Sequence, residues 1–241
     1  MNHENKWIFV SGAASRTGHA IARHLIEQKA HVVANFHHHR KGIDDLIEVF
    51  GKDRVVAVKG DVSSERDVRF MVDQVKKYTD RLDGLINVVG SYLERQTLEI
   101  SLTEWRSILA NNLDSVFLMC QNFYPLLKQS RNARVINFAY SAADRVAASK
   151  CQPYHIAKMG VISLSKTLAK EWGKDQISVN VISPGTLFNS VIKTSEDPKD
   201  YIPQERFGRY EDLWPILDMI FREDSTYLTG NNFHLSGGYN L

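Results

Sequence analysis

The sequence of 241 residues is poor in cysteine, carries almost no net charge and contains no long apolar segment. Its two cysteines, Cys120 and Cys151, have no metal-binding spacing, and they fit a reducing compartment. A net charge of +2 argues against nucleic acid or an anionic membrane as a partner. An apolar run of about 18 residues is absent, and MNHENK does not resemble a secretory signal. We therefore expect a cytoplasmic protein without a membrane span.

Short apolar runs rich in β-branched residues alternate with longer segments of helical periodicity. The predicted strands are Trp7–Val10, His31–Ala34, Val55–Val58, Leu85–Val89, Arg134–Phe138, Ser178–Ile182 and Asn232–Leu235. The predicted helices are residues 21–28, Ile43–Phe50, Glu65–Tyr78, Glu104–Leu127 and Tyr154–Trp172. Apolar strands that alternate with helices indicate a parallel sheet covered on both sides. The prediction is one α/β domain over residues 1–241, a Rossmann-type doubly wound parallel sheet flanked by helices, with ligands beyond the carboxyl ends of the strands.

The segment SGAASRTGHA joins the first predicted strand to a helix. Gly12 follows the strand and Gly18 precedes the helical pattern. A helix N-terminus offers free N–H groups and partial positive charge, which suit a pyrophosphate. The alternative is that the glycines only serve the strand–helix joint, because many such joints need glycine.

The end of the second predicted strand lacks the carboxylate that would hold the ribose 2′-hydroxyl of NAD. It reads ANFHHHRKG, and Asp44 is the first acid that follows. The segment is basic, and Arg16 from the first loop can reach the same region. A 2′-phosphate fits this better than a hydroxyl, so NADP(H) is the predicted cofactor, with His37 among its ligands. The alternatives are a solvated Arg16 and a solvated histidine loop; three adjacent histidines cannot all face one metal, and no metal site is predicted.

Tyr154 and Lys158 are four residues apart in a predicted helix and therefore share one face. A phenol has an ordinary pKa of about 10, and a nearby ammonium lowers the pKa because it favours the phenolate. Such a pair can transfer a proton to a carbonyl oxygen. The spacing alone is a common coincidence in helices, but here it follows the fifth strand of a predicted nucleotide-binding fold.

These motifs together resemble those of the short-chain dehydrogenase/reductase family, in particular its 3-oxoacyl-carrier-protein reductases, over nearly the whole chain. The matching segments occur in the family's order: SGAASRTG, Asp61-Val62, NVVG (Asn87 to Gly90), NNLDSVF with Asn112, YHIAK, SVNVISPGT with Pro184, Gly185 and Thr186, RFG, and YLTGNNFHLSGG. NVVG departs from the family's Asn-Asn-Ala-Gly at Val88 and Val89. Arg16 replaces the glycine that most members have.

The resemblance implies an NADPH-dependent reductase of ketones or 3-oxoacyl compounds, with Tyr154 as the proton donor and Asn112 supporting a relay water. It implies a homotetramer paired through the helices Glu104–Leu127 and Tyr154–Trp172, with Leu109, Leu113, Val116 and Phe117 at the interface or in the core. The implied cofactor-binding residues are Gly12, Ser15, Arg16, Thr17, Gly18, His37, Asp61, Val62, Asn87, Gly90, Tyr154, Lys158, Pro184, Gly185 and Thr186. Asn111, beside Asn112, is interpreted as structural.

The serine that polarises the substrate carbonyl in the family is ambiguous in this chain. Ser141 has the usual separation from Tyr154, whereas an ungapped reading of RVINFAYS puts Tyr140 at that position. We favour Ser141, because a one-residue change in a loop costs little. A surface serine with no role is the alternative.

Two other functions stay open at this point. Arg16, the irregular serine position and the LFN after Pro184-Gly185 resemble the pteridine and dihydrofolate reductases of the same family. A non-catalytic NADP-sensing protein is the other alternative, although Tyr154, Lys158 and Asn112 argue against it. The segment from Thr186 to Gly208 is the expected substrate lid, and it is polar.

Overall fold

The computed structural model describes residues 3–145, 150–190 and 195–239. Seven parallel strands form one sheet in the order β3-β2-β1-β4-β5-β6-β7. Their bounds are β1 (Trp7–Val10), β2 (His31–Phe36), β3 (Val55–Lys59), β4 (Gly84–Asn87), β5 (Arg134–Phe138), β6 (Ser178–Pro184) and β7 (Asn232–Leu235). The predicted doubly wound parallel sheet in a single domain is confirmed.

Helices cover both faces of the sheet. They are α1 (Arg16–Glu27), α2 (Lys41–Phe50), α3 (Glu65–Val75), α4 (Leu102–Leu109), α5 (Ser115–Leu127), α6 (Gln152–Trp172) and α7 (Trp214–Phe221). Alternate residues of β1 point to opposite sides, as in any strand. Phe9 packs into the core beneath α3, α5 and α6, whereas Ile8 and Val10 pack into the core beneath α1, α2 and α7. Within the described residues, no helix is long and apolar enough to cross a bilayer.

The strand order reverses at β1, which pairs with β2 on one side and with β4 on the other. The segments that follow β1 and β4 leave the sheet toward its opposite faces, and a crevice opens between them. The loop beginning at Ser11 and the segment beginning at Val88 border this crevice. The fold therefore directs the two most informative sequence motifs to one place.

The segment predicted as one helix, Glu104–Leu127, is helical throughout, but it is not α-helical over its whole length. Residues Ala110–Asp114 form one π-helical turn between α4 and α5. At its centre, the Asn112 side chain donates to the Ile108 carbonyl at 2.9 Å, which is the oxygen that an α-helical backbone would use. Such single π turns occur often at functional sites.

Two further helical assignments differ from the sequence prediction. Helix α1 begins at Arg16, five residues earlier than the predicted start at residue 21. Helix α7 was not predicted, because WPILDMIF is a short apolar run that periodicity alone cannot distinguish from a strand. Val116, considered for a subunit interface, is 2% exposed and lies in the core.

Candidate active site

The glycine-rich loop after β1 is fixed by the ends of three neighbouring strands. Gly12 has a φ of +63°, a left-handed conformation that glycine adopts without strain. Its N–H donates to Asn35 Oδ1 at 3.2 Å, and the Asn35 amide donates to the Gly60 carbonyl at 3.0 Å. Ser11 Oγ accepts the Val88 N–H at 2.8 Å. The backbone that was predicted to bind a pyrophosphate is therefore held by β2, β3 and β4.

Two glycines allow helices to approach this loop closely. A Cβ on Gly18 would lie 2.4 Å from the Gly12 carbonyl oxygen, and one on Gly42 would lie 2.1 Å from the Ala14 carbonyl oxygen. The first turns of α1 and α2 are consequently in direct contact with the loop. Their N-termini bring free N–H groups and partial positive charge to one place. This crowded cradle fits the phosphates of a dinucleotide.

Arg16 occupies the first position of α1 in a left-handed conformation, with a φ of +52°. A non-glycine residue there costs about 1 to 2 kcal/mol. Arg16 is an exposed residue, as is the neighbouring Ser15. Burial raises the pKa of Tyr210, and Asn189, Arg16 and Thr17 act in the opposite direction. Arg16 and Thr17 thus lie close to Tyr210, which contacts the segment that follows β6.

A cavity of about 520 Å³ opens beside the loop. It is lined by Gly12, Asn35, His37, His38, Gly60, Asp61, Val62, Ser63, Val89, Ser107, Ala110 and Asn111. Four of the predicted cofactor residues are in this set: Gly12, His37, Asp61 and Val62. Asn111, which the sequence interpretation treated as structural, also lines the cavity. Its position at the carboxyl ends of β1 to β3 fits the adenosine half of a dinucleotide.

The basic residues after β2 are not equally available to a ligand. Arg40 Nε contacts Asp44 Oδ1 at 2.8 Å, and its guanidinium lies 6.0 Å from the centroid of the Phe36 ring. The first carboxylate after β2 is therefore paired with an arginine. This pairing leaves Asp44 poorly suited to hold a ribose hydroxyl.

Tyr154 and Lys158 lie one turn apart at the start of α6, as predicted. Lys158 is 4% exposed, and its Nζ donates to the Phe138 carbonyl at 2.8 Å. The same Nζ is 5.7 Å from the centroid of the Tyr154 ring. Burial lowers the pKa of Lys158 to about 8, so the ammonium form still predominates at pH 7.

The effect of this site on Tyr154 differs from the sequence argument. Burial raises the pKa of the Tyr154 phenol, and Tyr140 and Cys151 add to the increase. The Lys158 ammonium is hydrogen-bonded to a carbonyl, and burial penalises the phenolate more strongly than that ammonium favours it. Tyr154 is therefore a protonated phenol at neutral pH, the form from which a proton can be donated.

The side chains of Asn112 and Lys158 both lie next to Gly90. A Cβ on Gly90 would lie 2.4 Å from Asn112 Oδ1 and 3.3 Å from Lys158 Nζ, so a side chain here would displace the Asn112 amide. The Asn112 amide nitrogen donates to the carbonyls of Ser91 at 2.8 Å and Ile108 at 2.9 Å. Its Oδ1 is buried and accepts no hydrogen bond from the described residues. An acceptor of this kind beside a buried ammonium suits a proton relay.

Three tyrosines meet at the start of α6. The Tyr140 ring lies 5.3 Å from that of Tyr154, and the Tyr92 ring meets Tyr154 edge-on at 5.0 Å. Tyr140 Oη is 2.6 Å from His155 Nδ1. Ser141 is 1% exposed, and its N–H donates to the Pro184 carbonyl at 3.0 Å. Tyr92 and Tyr140 therefore form an aromatic wall beside Tyr154, the predicted proton donor.

The remaining predicted cofactor residues border the crevice from β4 and β6. Asn87 donates from Nδ2 to Asn137 Oδ1 at 2.8 Å inside the sheet, which makes it a structural support of the β4 end. A Cβ on Gly185 would lie 2.9 Å from Ser236 Cα, so the Pro184-Gly185 turn is packed against the segment after β7. Thr186 follows that turn and accepts the Gly208 N–H at 3.0 Å. Residues 191–194 of the predicted lid lie outside the described residues.

Sequence reasoning missed Asn35, Gly42 and Tyr92. Asn35 is a polar residue at the end of an otherwise apolar strand, and this feature could have marked it. Gly42 is one position inside a helix start, where glycine is unfavourable unless close packing demands it. Tyr92 lies in an irregular segment with no periodic signal.

The comparisons with known proteins agree with this geometry. The sequence model of a family described as "Enoyl-(Acyl carrier protein) reductase" matches residues 12–240. The chain is 28% identical to an NAD-dependent glycerol dehydrogenase of Listeria innocua, with 100% of this chain and 96% of that enzyme covered. It is 27% identical to a 3-oxoacyl-[acyl-carrier-protein] reductase FabG of Staphylococcus epidermidis, covering 97% and 98%.

A solved structure extends the agreement to the fold. The Pseudomonas aeruginosa RhlG/NADP active-site complex superposes with a TM-score of 0.90 at 28% identity, covering 100% of this chain and 98% of that one. The similarity therefore spans the cofactor loop, the tyrosine–lysine pair and the closing segments alike. This chain belongs to the short-chain dehydrogenase/reductase family.

Proposed function

We propose that this oxidoreductase uses NADPH to reduce a carbonyl group, a ketone or a 3-oxoacyl compound, with Tyr154 as the proton donor. The observation that carries the proposal is the convergence of Tyr154, Lys158 and Asn112 next to the phosphate cradle. Lys158 is buried between the phenol ring and Gly90. A scaffold that had lost its reaction would gain nothing from a buried, costly ammonium at this position.

The chain's residues divide the work of holding a nicotinamide dinucleotide. The proposed phosphate ligands are Gly12, Ser15, Arg16, Thr17 and Gly18. The cavity lined by His37, Asp61 and Val62 suits the adenosine half. Asn87, Gly90, Pro184, Gly185 and Thr186 would border the nicotinamide half, which when bound supplies a hydride to the substrate carbon.

The protein's own part in the reaction is to move a proton to the substrate oxygen. The raised pKa of Tyr154 keeps its phenol protonated until an acceptor of sufficient basicity forms. Lys158 stabilises the phenolate that remains, and the acceptor Asn112 Oδ1 lies on the path by which the proton is replaced. Ser141 is our proposed source of the hydroxyl that polarises the carbonyl, because the Tyr140 hydroxyl is already bonded to His155.

The preference for NADPH over NADH rests on charge at the end of β2. Phe36 stands where NAD-dependent enzymes place an acid, and Asp44 is paired with Arg40. His37 and His38 line the cavity instead. A 2′-phosphate is favoured where cations or neutral donors replace a carboxylate. The relatives include an NAD-dependent enzyme and an NADP complex, and titration with both cofactors, in which NADPH should bind more tightly, tests the preference.

A second candidate is a pteridine or dihydrofolate reductase activity on a flat heterocycle. The three-tyrosine contact favours it, because offset or edge-on aromatic surfaces suit planar conjugated rings. Arg16, near Tyr210, also brings a cation to the segment after β6. We rank it second, since aromatic walls also accommodate ketones.

The deciding experiment follows NADPH oxidation with ketones, 3-oxoacyl thioesters and dihydropterins, using Tyr154→Phe as the control. Turnover of ketones or thioesters supports the first candidate, and selective turnover of dihydropterins supports the second. NADPH binding with no turnover of any member of the panel would favour the third alternative, a cofactor sensor. An equal rate in the Tyr154→Phe control would contradict the proposed proton donor.

We also propose that the enzyme is a cytoplasmic homotetramer. Phe117 on α5 is 45% exposed, and Met159 on α6 is 47% exposed, so both helices present large apolar side chains to solvent in the isolated chain. Pairing of these helices across a two-fold axis would bury them. Light scattering should give a mass near four times 27.5 kDa, and Phe117→Glu should reduce it.

A further inference from the structure

The residue that follows the proposed proton donor on α6 contacts one member of the aromatic wall. Tyr140 Oη and His155 Nδ1 are 2.6 Å apart, and the two rings meet edge-on, with centroids 6.0 Å apart and an interplanar angle of 73°. Tyr140 belongs to the loop after β5, whereas His155 lies near the start of α6. Their hydrogen bond therefore joins this loop to the helix that carries Tyr154.

Both members of the pair are uncharged at neutral pH. Burial raises the pKa of the Tyr140 phenol, and Cys151 and Tyr239 add to the increase. Burial lowers the pKa of the His155 imidazole. Both residues are partly buried, so removal of one partner leaves the other with a polar group that is poorly compensated by water. The hydrogen bond thus favours one position of the Tyr140 ring.

Helix α6 fixes His155 in turn. The His155 N–H donates to the Cys151 carbonyl at 2.9 Å, within the first turn of the helix. Tyr154 and His155 are consecutive on this rigid element, so they keep their relative positions when a neighbouring loop moves. The bond between His155 and Tyr140 consequently holds the Tyr140 ring at 5.3 Å from the Tyr154 ring, with an interplanar angle of 40°.

Tyr92, the other member of the aromatic wall, is held differently. It is 38% exposed and comes from an irregular segment after β4. Burial raises the pKa of its phenol, and a hydrogen bond with the Cys151 thiol adds to the increase. A thiol is a weak hydrogen-bonding group, whereas an imidazole nitrogen is a strong one. Of the two tyrosines, Tyr140 therefore has the more firmly fixed ring.

We propose that His155 is a positioning residue, which holds Tyr140 as a fixed side of the substrate pocket and so makes the enzyme select compact carbonyl substrates over bulky ones. The proposal rests on the carbonyl reduction proposed above and concerns the same site. An untethered tyrosine ring can move aside for a bulky group by changing its rotamer, but a hydrogen-bonded ring loses its bond when it does so. In this role neither residue supplies a proton, so the effect falls on substrate binding.

Two substitutions remove the hydrogen bond from opposite sides, and a third restores it. Tyr140→Phe removes the hydroxyl and keeps the ring. His155→Leu removes the ring nitrogen and keeps a side chain of comparable bulk. His155→Asn is the matched control, because its amide can place a polar atom near the position of Nδ1. Far-ultraviolet circular dichroism and thermal unfolding check that each variant keeps the fold.

The measurement is steady-state reduction of a compact and a bulky ketone, or of a compact and a bulky 3-oxoacyl thioester, at saturating NADPH. In Tyr140→Phe and His155→Leu, the preference for the compact member, expressed as a ratio of kcat/KM values, should fall about fivefold to tenfold. The change should lie in KM, with kcat for the compact member within about threefold of wild type. The double variant should resemble either single variant, because both remove the same bond. His155→Asn should keep most of the wild-type preference.

The results that would overturn the proposal can be told apart. An unchanged preference in both single variants of an active enzyme would contradict this proposal alone. Equal losses in His155→Asn and His155→Leu would assign the effect to packing of the imidazole. A kcat that falls roughly a hundredfold in Tyr140→Phe but not in His155→Leu would make Tyr140 the polarising residue. No reduction of any carbonyl by the wild-type enzyme would contradict the proposed function, and this proposal with it.

Discussion

The cofactor end and the substrate end of the site are built in different ways. At the cofactor end, Gly18 and Gly42 lack side chains, so that their helices contact the backbone of the loop directly. At the substrate end, Tyr92 and Tyr140 add large side chains around Tyr154. The first arrangement fits a ligand part that is the same throughout a family, whereas the second fits a part that differs between members. Variants at each end should therefore affect different measurements.

The largest effect is expected at the proton donor. Tyr154→Phe removes the phenolic hydroxyl and keeps the ring that contacts Tyr92 and Tyr140, so turnover should fall by roughly a thousandfold or more. NADPH affinity should change little, because the buried Lys158 and the glycine loop remain. Lys158→Ala should lower both turnover and affinity. Steady-state rates with a fluorescence titration check the contrast, and a Tyr154→Phe enzyme within a few-fold of wild type would place the acid elsewhere.

The next effect separates Ser141 from Tyr140. Ser141→Ala should lower kcat by roughly a hundredfold if its hydroxyl stabilises the developing oxyanion. Tyr140→Phe should change kcat mildly, because that hydroxyl is bonded to His155 and the aromatic wall is kept. The reverse ranking of the two variants would transfer the polarising role to Tyr140. Either result concerns the substrate end alone, so NADPH affinity should not change.

These two ends also differ in how far the sequence predicts them. Gly12, Gly18, the Tyr154–Lys158 spacing and the alternation of strands with helices depend on local sequence patterns, and each was recognisable before the fold was known, whereas Gly42 was missed. The neighbours of Tyr154 depend on which irregular segments meet in space, and no periodicity marks Tyr92. The π turn at Asn112 was invisible for a similar reason, since a single side-chain bond to Ile108 interrupts an otherwise helical pattern. The pKa direction of Tyr154 required its burial, which a spacing cannot give.

A smaller effect is expected from close packing at the cofactor end. Gly42→Ala would place a methyl carbon 2.1 Å from a backbone oxygen of the cofactor loop, so α2 or the loop must shift. We expect this shift to be too small to unfold the chain. The affinities for NADPH and NADH should fall together, by roughly tenfold. Gly173→Ala is the matched control, because its Cβ would meet nothing within 4 Å. Unchanged affinity in Gly42→Ala would show that this contact does not position the loop.

The smallest and most discriminating change is Arg16→Gly, because Arg16 adjoins both ends. Its left-handed φ of +52° costs about 1 to 2 kcal/mol that glycine would not, so the variant should unfold at the same temperature as wild type or slightly higher. Retaining a strained residue on a loop built for glycine implies a compensating function. If Arg16 holds a cofactor phosphate, the variant should bind NADPH several-fold more weakly and bind NADH about as well as wild type.

Turnover at saturating NADPH then decides whether Arg16 also serves the substrate. A lost cofactor contact is overcome by concentration, whereas a lost transition-state contact is not. We expect full recovery of kcat. Tyr210, the residue of the segment after β6 that lies near Arg16, has its hydroxyl bonded to Asn189, so it does not link Arg16 to the reacting groups. A kcat that stays low at saturating NADPH would give Arg16 a role at the substrate and would strengthen the case for a planar heterocycle as the substrate.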